Sequence, residues 1–222
     1  MFKEKEYMAI LINQLKDTFH ERVLYVGLQG SYMRGEATEN SDIDVVVILD
    51  KLCVDDLDRY KNIIGEIGDS EKSCGFICGK EEMMNWNPME ICHFVHSTED
   101  YFGSLDDWVS KYSEQDVLNF IKLSANNLYH EICHRYIHSD AAKNKRKLAG
   151  AYKNVFFILQ NIYFLKTGVF ARTKQELCVK LVEKDLDVME TALKLQKSED
   201  YDFEEAFELL FKWCQRIIRE VQ

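Results

Sequence analysis

Apolar positions in the first half of the chain switch between two periods. Tyr7, Ile10, Leu11, Leu15 and Phe19 fall at helical spacing with charges between them, predicting an amphipathic helix over residues 4–20. Residues 22–29 then form a β-branched and aromatic run stopped by Gly30, and residues 43–49 are almost continuously apolar, so two buried strands flank a polar turn. Leu57, Tyr60, Ile63, Ile64 and Ile67 predict a second helix over residues 55–67. A third strand is expected around residues 75–79, then a short helical turn over residues 81–86. Pro88 precedes Met89-Glu90-Ile91-Cys92-His93-Phe94-Val95-His96, whose apolar alternation predicts a further strand with proline at its first position.

From Ser113 onward glycine is scarce and every segment has a helical period: residues 116–136, 141–166, 174–196 and 203–221. The third of these is open to a break around residues 183–187, and Gly168 reads as a helix stop. Leu148, Tyr152, Val155, Phe156, Leu159 and Ile162 lie on one wide apolar face suited to a bundle core. Two modest domains are therefore expected, residues 1–110 and 111–222.

Charge and cysteine usage narrow the class. A formal net charge of -10 disfavours a polyanionic partner such as DNA or tRNA, whose affinity comes from Lys and Arg on phosphates. It suits a small cationic acceptor, and acids cluster at Asp55, Asp56 and Asp58, at Glu99 and Asp100, and at Asp106 and Asp107, although solvated faces carry such clusters too. The 7 cysteines show no regular pairing; Cys53, Cys92, Cys178 and Cys214 sit among apolar neighbours and read as reduced, buried thiols. No apolar signal core follows Met1 and no run reaches membrane-spanning length, so a cytoplasmic protein without membrane partners is expected.

The chemistry is concentrated in Gly30-Ser31-Tyr32-Met33-Arg34-Gly35 and Ser41-Asp42-Ile43-Asp44. Alternate residues of a strand share a face, so Asp42 and Asp44 present two carboxylates at the mouth of an apolar strand. Paired acids there call for a hard divalent cation, with Mg²⁺ favoured where oxygen ligands meet phosphates. Gly30 allows close backbone approach and Ser31 offers a hydroxyl and an N–H at a helix start, which together suit a phosphate. Glu90, near the start of the expected fourth strand, is the candidate general base or further metal ligand.

This Gly-Ser, Arg-Gly, Ser-Asp-x-Asp series resembles the nucleotidyltransferase superfamily related to DNA polymerase beta, and within it the aminoglycoside (streptomycin/spectinomycin-type) nucleotidyltransferases. Pro88-Met89-Glu90 before an apolar run is similar to the family's strand bearing a catalytic glutamate, and Gly168 to Lys174 to a segment that brings a lysine to the triphosphate. The resemblance implies an α+β fold, a small mixed β-sheet with flanking helices followed by an all-helical domain, with the active site between them. It implies an enzyme that moves AMP from ATP, or another nucleoside monophosphate, to a hydroxyl of a small acceptor such as an aminoglycoside, acting as monomer or homodimer. Asp42 and Asp44 would hold Mg²⁺, Gly30 and Ser31 the outer phosphates, Glu90 the acceptor's proton, and Arg34, Ser41 and Lys174 would support the nucleotide. The stretch from Phe102 to Lys147 departs from that family where the acceptor would bind.

Two other functions compete. Small nucleotidyltransferases also modify proteins or act as antitoxin-type partners. Independently, His130-Glu131-Ile132-Cys133-His134 matches the helical zinc-protease pattern, with His138 one turn on. No glycine follows to turn the chain toward a third ligand, so all three histidines stay on one helix, and no stoichiometric zinc is expected there.

Overall fold

A computed structural model of the chain describes residues 3–68, 70–197 and 200–221. Met1 and Phe2, where the sequence shows no signal core, lie outside the described residues. The chain divides into two compact units, Met1–Tyr112 and Ser113–Gln222.

The first unit opens with α1 (Glu4–Phe19), β1 (Val23–Gln29), the single turn α2 (Gly30–Met33) and β2 (Ile43–Leu49). It continues through α3 (Val54–Ile67), β3 (Ser73–Gly79), α4 (Lys80–Met84), α5 (Pro88–His96) and β4 (Glu99–Phe102). The sheet is mixed, in the order β3-β2-β1-β4: β1 runs antiparallel to β2 and β4, and β2 runs parallel to β3. Alternation along β2 sorts two cores. Ile43, Val45, Val47 and Leu49 pack with Leu11, Leu15 and Phe19 of α1 and Ile63 of α3, whereas Val46 and Ile48 pack with Met83 of α4 and Ile91 and Phe94 of α5.

The strand expected at residues 89–96 is a helix. Asn87 caps it by accepting from the Met89 N–H at 3.1 Å, and Pro88 occupies the first turn, where a missing N–H costs nothing. Ile91, Cys92 and Phe94 are buried, a spacing that short apolar runs share with strands. The remaining strand is β4, whose four residues pair with β1 at Val26↔Phe102, Gly27↔Asp100 and Leu28↔Glu99.

The acids and cysteines around α3 also differ from expectation. Asp56 is buried, and both its oxygens take hydrogen bonds from Arg22, at 2.7 and 3.0 Å. Cys53 is exposed because it is the N-cap of α3, paired with Asp56 in a capping box. The Arg22 guanidinium holds the Asp56 carboxyl well below the usual carboxylate range. A depressed folded-state value stabilises the fold above the unfolded carboxyl's titration and loses that contribution as pH falls through it. Arg22→Ala should therefore cost about 1.5–3 kcal/mol at neutral pH, the range for hydrogen bonds to charged groups, with the deficit shrinking below about pH 4. Urea denaturation of both proteins across pH checks this.

The second unit is helical throughout its described elements: α6 (Glu114–His138), α7 (Ala141–Ala151), α8 (Lys153–Thr167), α9 (Lys174–Cys178), α10 (Glu183–Lys197) and α11 (Phe203–Glu220). The single helix expected over residues 141–166 is divided at Tyr152, whose hydroxyl donates to the Ala206 carbonyl at 2.7 Å. Residues 179–182 separate α9 from α10, slightly ahead of the expected break. Ile121, Ala125, Leu128 and Ile132 of α6 are buried at helical spacing, as are Leu210, Trp213, Cys214 and Ile217 of α11. Asp185 of α10 accepts from the Trp213 indole at 2.8 Å and pairs with Arg216. No helix among the described residues is long and apolar enough to cross a membrane.

Candidate active site

The β1–α2–β2 unit builds the site. Gln29 ends β1 opposite Asp44, and the chain then turns at Gly30 with φ 71°, a conformation in which a side chain is strained. A Cβ on Gly30 would stand 1.8 Å from Asp44 Oδ2, so this glycine lets the backbone lie directly against the carboxylate. The first N–H groups of α2 point out of its N-terminal end, as in any helical turn, and Ser31 is the second residue of that turn. The loop closes with Glu36 N–H donating to Ser31 O at 2.9 Å and Arg34 Nε to Glu36 Oε2 at 2.9 Å. Ser41 shapes its far end: its hydroxyl accepts from the Thr38 N–H at 2.8 Å, and its own N–H donates to the Thr38 carbonyl at 3.0 Å.

Asp44 lies on the sheet face of Val46 and Ile48, half-buried, and Asp42 precedes it, exposed. Burial pushes the Asp44 carboxyl above its ordinary value; a hydrogen bond from the Cys74 thiol opposes the shift, the Asp42 charge adds to it, and Arg34 partly offsets it. Two carboxylates with incomplete compensation against a glycine turn fit a divalent cation that draws its other ligands from phosphate oxygens. Among the described residues no group of three or more His, Cys, Asp or Glu side chains forms a ready cation cage.

The strand neighbours of Asp44 are Gln29 on β1 and Cys74 on β3, neither of them a carboxylate. Gln29 Nε2 donates to Thr98 Oγ1 at 2.7 Å, so it is the C-terminal end of α5 that returns to this edge of the sheet. Glu90 stands at the other end of α5, about 9 Å of helix rise before its last residue, His96, exposed and accepting from Trp86 Nε1 at 2.6 Å. The strand that would have brought Glu90 beside Asp42 and Asp44 is absent, which removes the geometric ground for its role as base. No local signal in the sequence marks Gln29, Cys74 or Thr98, because only strand register brings Gln29 and Cys74 to Asp44 and only the path of α5 brings Thr98 to Gln29. His96 pairs with the Tyr112 hydroxyl at 2.9 Å and His93 with Ser97 Oγ at 3.3 Å.

Lys174, the expected phosphate contact, begins α9 in the second unit and donates to Gln196 Oε1 at 2.9 Å. On α6, the rings of His130 and His134 are 6.0 Å apart, and Glu131 is paired with Arg135 at 2.7 Å. The glutamate of the zinc-protease pattern is thus engaged by its own helix.

Comparison with known proteins follows these boundaries. The model of the nucleotidyltransferase domain matches residues 9–82, from α1 to α4. A candidate protein adenylyltransferase of Methanocaldococcus jannaschii is 34% identical over 76 residues, 31% of this chain and 76% of that protein. Among solved structures, the spectinomycin adenyltransferase AAD(9) from Enterococcus faecialis, determined with ATP and spectinomycin, superposes with a TM-score of 0.61 at 13% identity. That likeness covers 97% of this chain and 99% of the other, and it is a likeness of fold.

Proposed function

Because this chain belongs to the nucleotidyltransferase family and is a transferase of that kind, we propose that it moves AMP from ATP to a hydroxyl of a small, cationic acceptor such as an aminoglycoside. The observation that carries the reading is the seating of the Asp44 carboxylate against Gly30, with Asp42 beside it and the α2 N–H groups opening at the same turn. Gly30 and Ser31 bind the outer phosphates through backbone N–H groups and the hydroxyl. Asp42 and Asp44 are the residues that would hold Mg²⁺, which when bound neutralises charge on the transferring group and departing pyrophosphate. Arg34, tied to Glu36, braces the phosphate loop, and Ser41 fixes the turn that delivers Asp42. The acceptor oxygen bonds to the α-phosphorus as the bond to pyrophosphate breaks and the hydroxyl proton passes to solvent water, and positioning and charge stabilisation supply most of the acceleration. The net charge of -10 supports a cationic acceptor.

A protein acceptor is the second reading, favoured by the name of the Methanocaldococcus jannaschii relative, whose match is confined to part of the chain. Incubation with ATP and Mg²⁺, against a panel of aminoglycosides and against a cell extract, separates the two by mass spectrometry. An adenylyl group on a small acceptor is the expected product; adenylylated protein without any modified small molecule would favour the second reading.

Glu90 gives a further test. Loss of a general base lowers rates by about 10²–10⁴-fold. With Glu90 bound to Trp86 at the far end of α5, Glu90→Gln should change kcat by less than about threefold, well short of that range. Steady-state pyrophosphate release by the variant decides it.

A further inference from the structure

The second unit holds a pocket whose lining includes none of the residues assigned to the transfer reaction. It has a volume of about 480 Å³, within the usual range for small-molecule sites, and lies between α7 and α10 with Tyr201 at its side. Its lining combines Lys145, Arg146 and Lys197 with Ala142, Ala149 and Leu195. In a chain of net charge -10 this is a local reversal: α7 carries Lys143, Lys145, Arg146 and Lys147 and has no acidic residue. Among the described residues none of the ion pairs includes Lys145, Arg146 or Lys197. The wall is also held in place. The Tyr201 hydroxyl donates to the Lys145 carbonyl, and Lys145 Nζ lies 5.0 Å from the centre of the Tyr201 ring, which ties the segment before α11 to α7.

We propose that this pocket binds a phosphate monoester carried on a ring-bearing body, of the nucleoside monophosphate class. Arg146 offers a planar pair of donors that matches phosphate oxygens, while Lys145 and Lys197 act as point charges. Ala142, Ala149 and Leu195 leave an apolar floor for the ring, which a solvated basic helix face would lack. The inference goes beyond the transfer reaction and does not rest on it.

Calorimetric titration of the full chain with AMP, and separately with ribose phosphate, is done in chelator so that no divalent cation takes part. AMP is expected to saturate a site that weakens at least about tenfold in Lys145→Ala/Arg146→Ala, the loss of one to two charge-assisted hydrogen bonds. Ala149→Trp, which fills the pocket and keeps its charge, should abolish binding, with thermal melts confirming that both variants fold. Tighter binding of AMP than of ribose phosphate supports the nucleoside class, and the reverse order overturns it. No saturable binding by the unaltered protein, or binding unchanged in both variants, overturns the pocket. Mg²⁺-dependent pyrophosphate release by the same variants reports the transfer reaction separately.

Discussion

Asp44→Asn is expected to lower turnover by about a thousandfold or more, since several kcal/mol of charge stabilisation at the phosphates would be lost and each 1.36 kcal/mol is tenfold. Asp42→Asn should abolish metal-dependent turnover in the same way. Stability should move differently from activity. Burial raises the Asp44 carboxyl above its ordinary value of 3.8, so its ionised form is a cost to the fold. For an acid raised in the folded state, stability declines as pH rises from below 3.8 through the folded value, because the native protein gives up its proton later than the unfolded chain. Asp44→Asn removes that decline. Thermal melts across pH should show the variant equal to or more stable than the parent near neutrality, and Mg²⁺ should raise the parent's midpoint but not the variant's.

The second large effect is expected at Gly30. Its φ of 71° costs a side chain about 1–2 kcal/mol, and a Cβ would fall 1.8 Å from Asp44 Oδ2. Strand pairing through Gln29↔Asp44 keeps the backbone from yielding, so the Asp44 carboxylate must rotate away. Gly30→Ala should therefore reduce kcat by about a hundredfold or more, because displacements of about 1 Å cost that much, while the fold loses only the backbone strain. Mg²⁺ titration beside a urea melt distinguishes a displaced carboxylate from an unfolded protein: affinity for the cation should fall far more than stability.

How far the sequence could be read depended on how local each feature is. The two long strands and the turn between them were legible because the apolar runs, Gly30 and the two acids are contiguous, and the helical second half because its period persists for more than a hundred residues. The failures lie where two structures share one pattern or where tertiary pairing decides. Residues 89–96 satisfy both periods over a short span, and Pro88 suits a strand's first position as well as the first turn of the helix that Asn87 caps. Strand β4 has only four residues and exists through its pairing with β1. Cys74 sits beside Asp44 because β3 runs parallel to β2 in a register no local signal gives. Asp56 shares its acidic surroundings with Asp55 and Asp58, and only its pairing with Arg22, 34 residues away, sets it apart as buried.

The most direct measurement follows two labels. ATP labelled at the α-phosphate, and separately at the γ-phosphate, is incubated with the protein, Mg²⁺ and the aminoglycoside panel, with Asp44→Asn as control. Transfer of the α label to an acceptor, release of the γ label only as pyrophosphate, and loss of both signals in the variant are predicted. Recovery of the γ label on the acceptor or as free phosphate, or undiminished transfer by Asp44→Asn, would contradict the account.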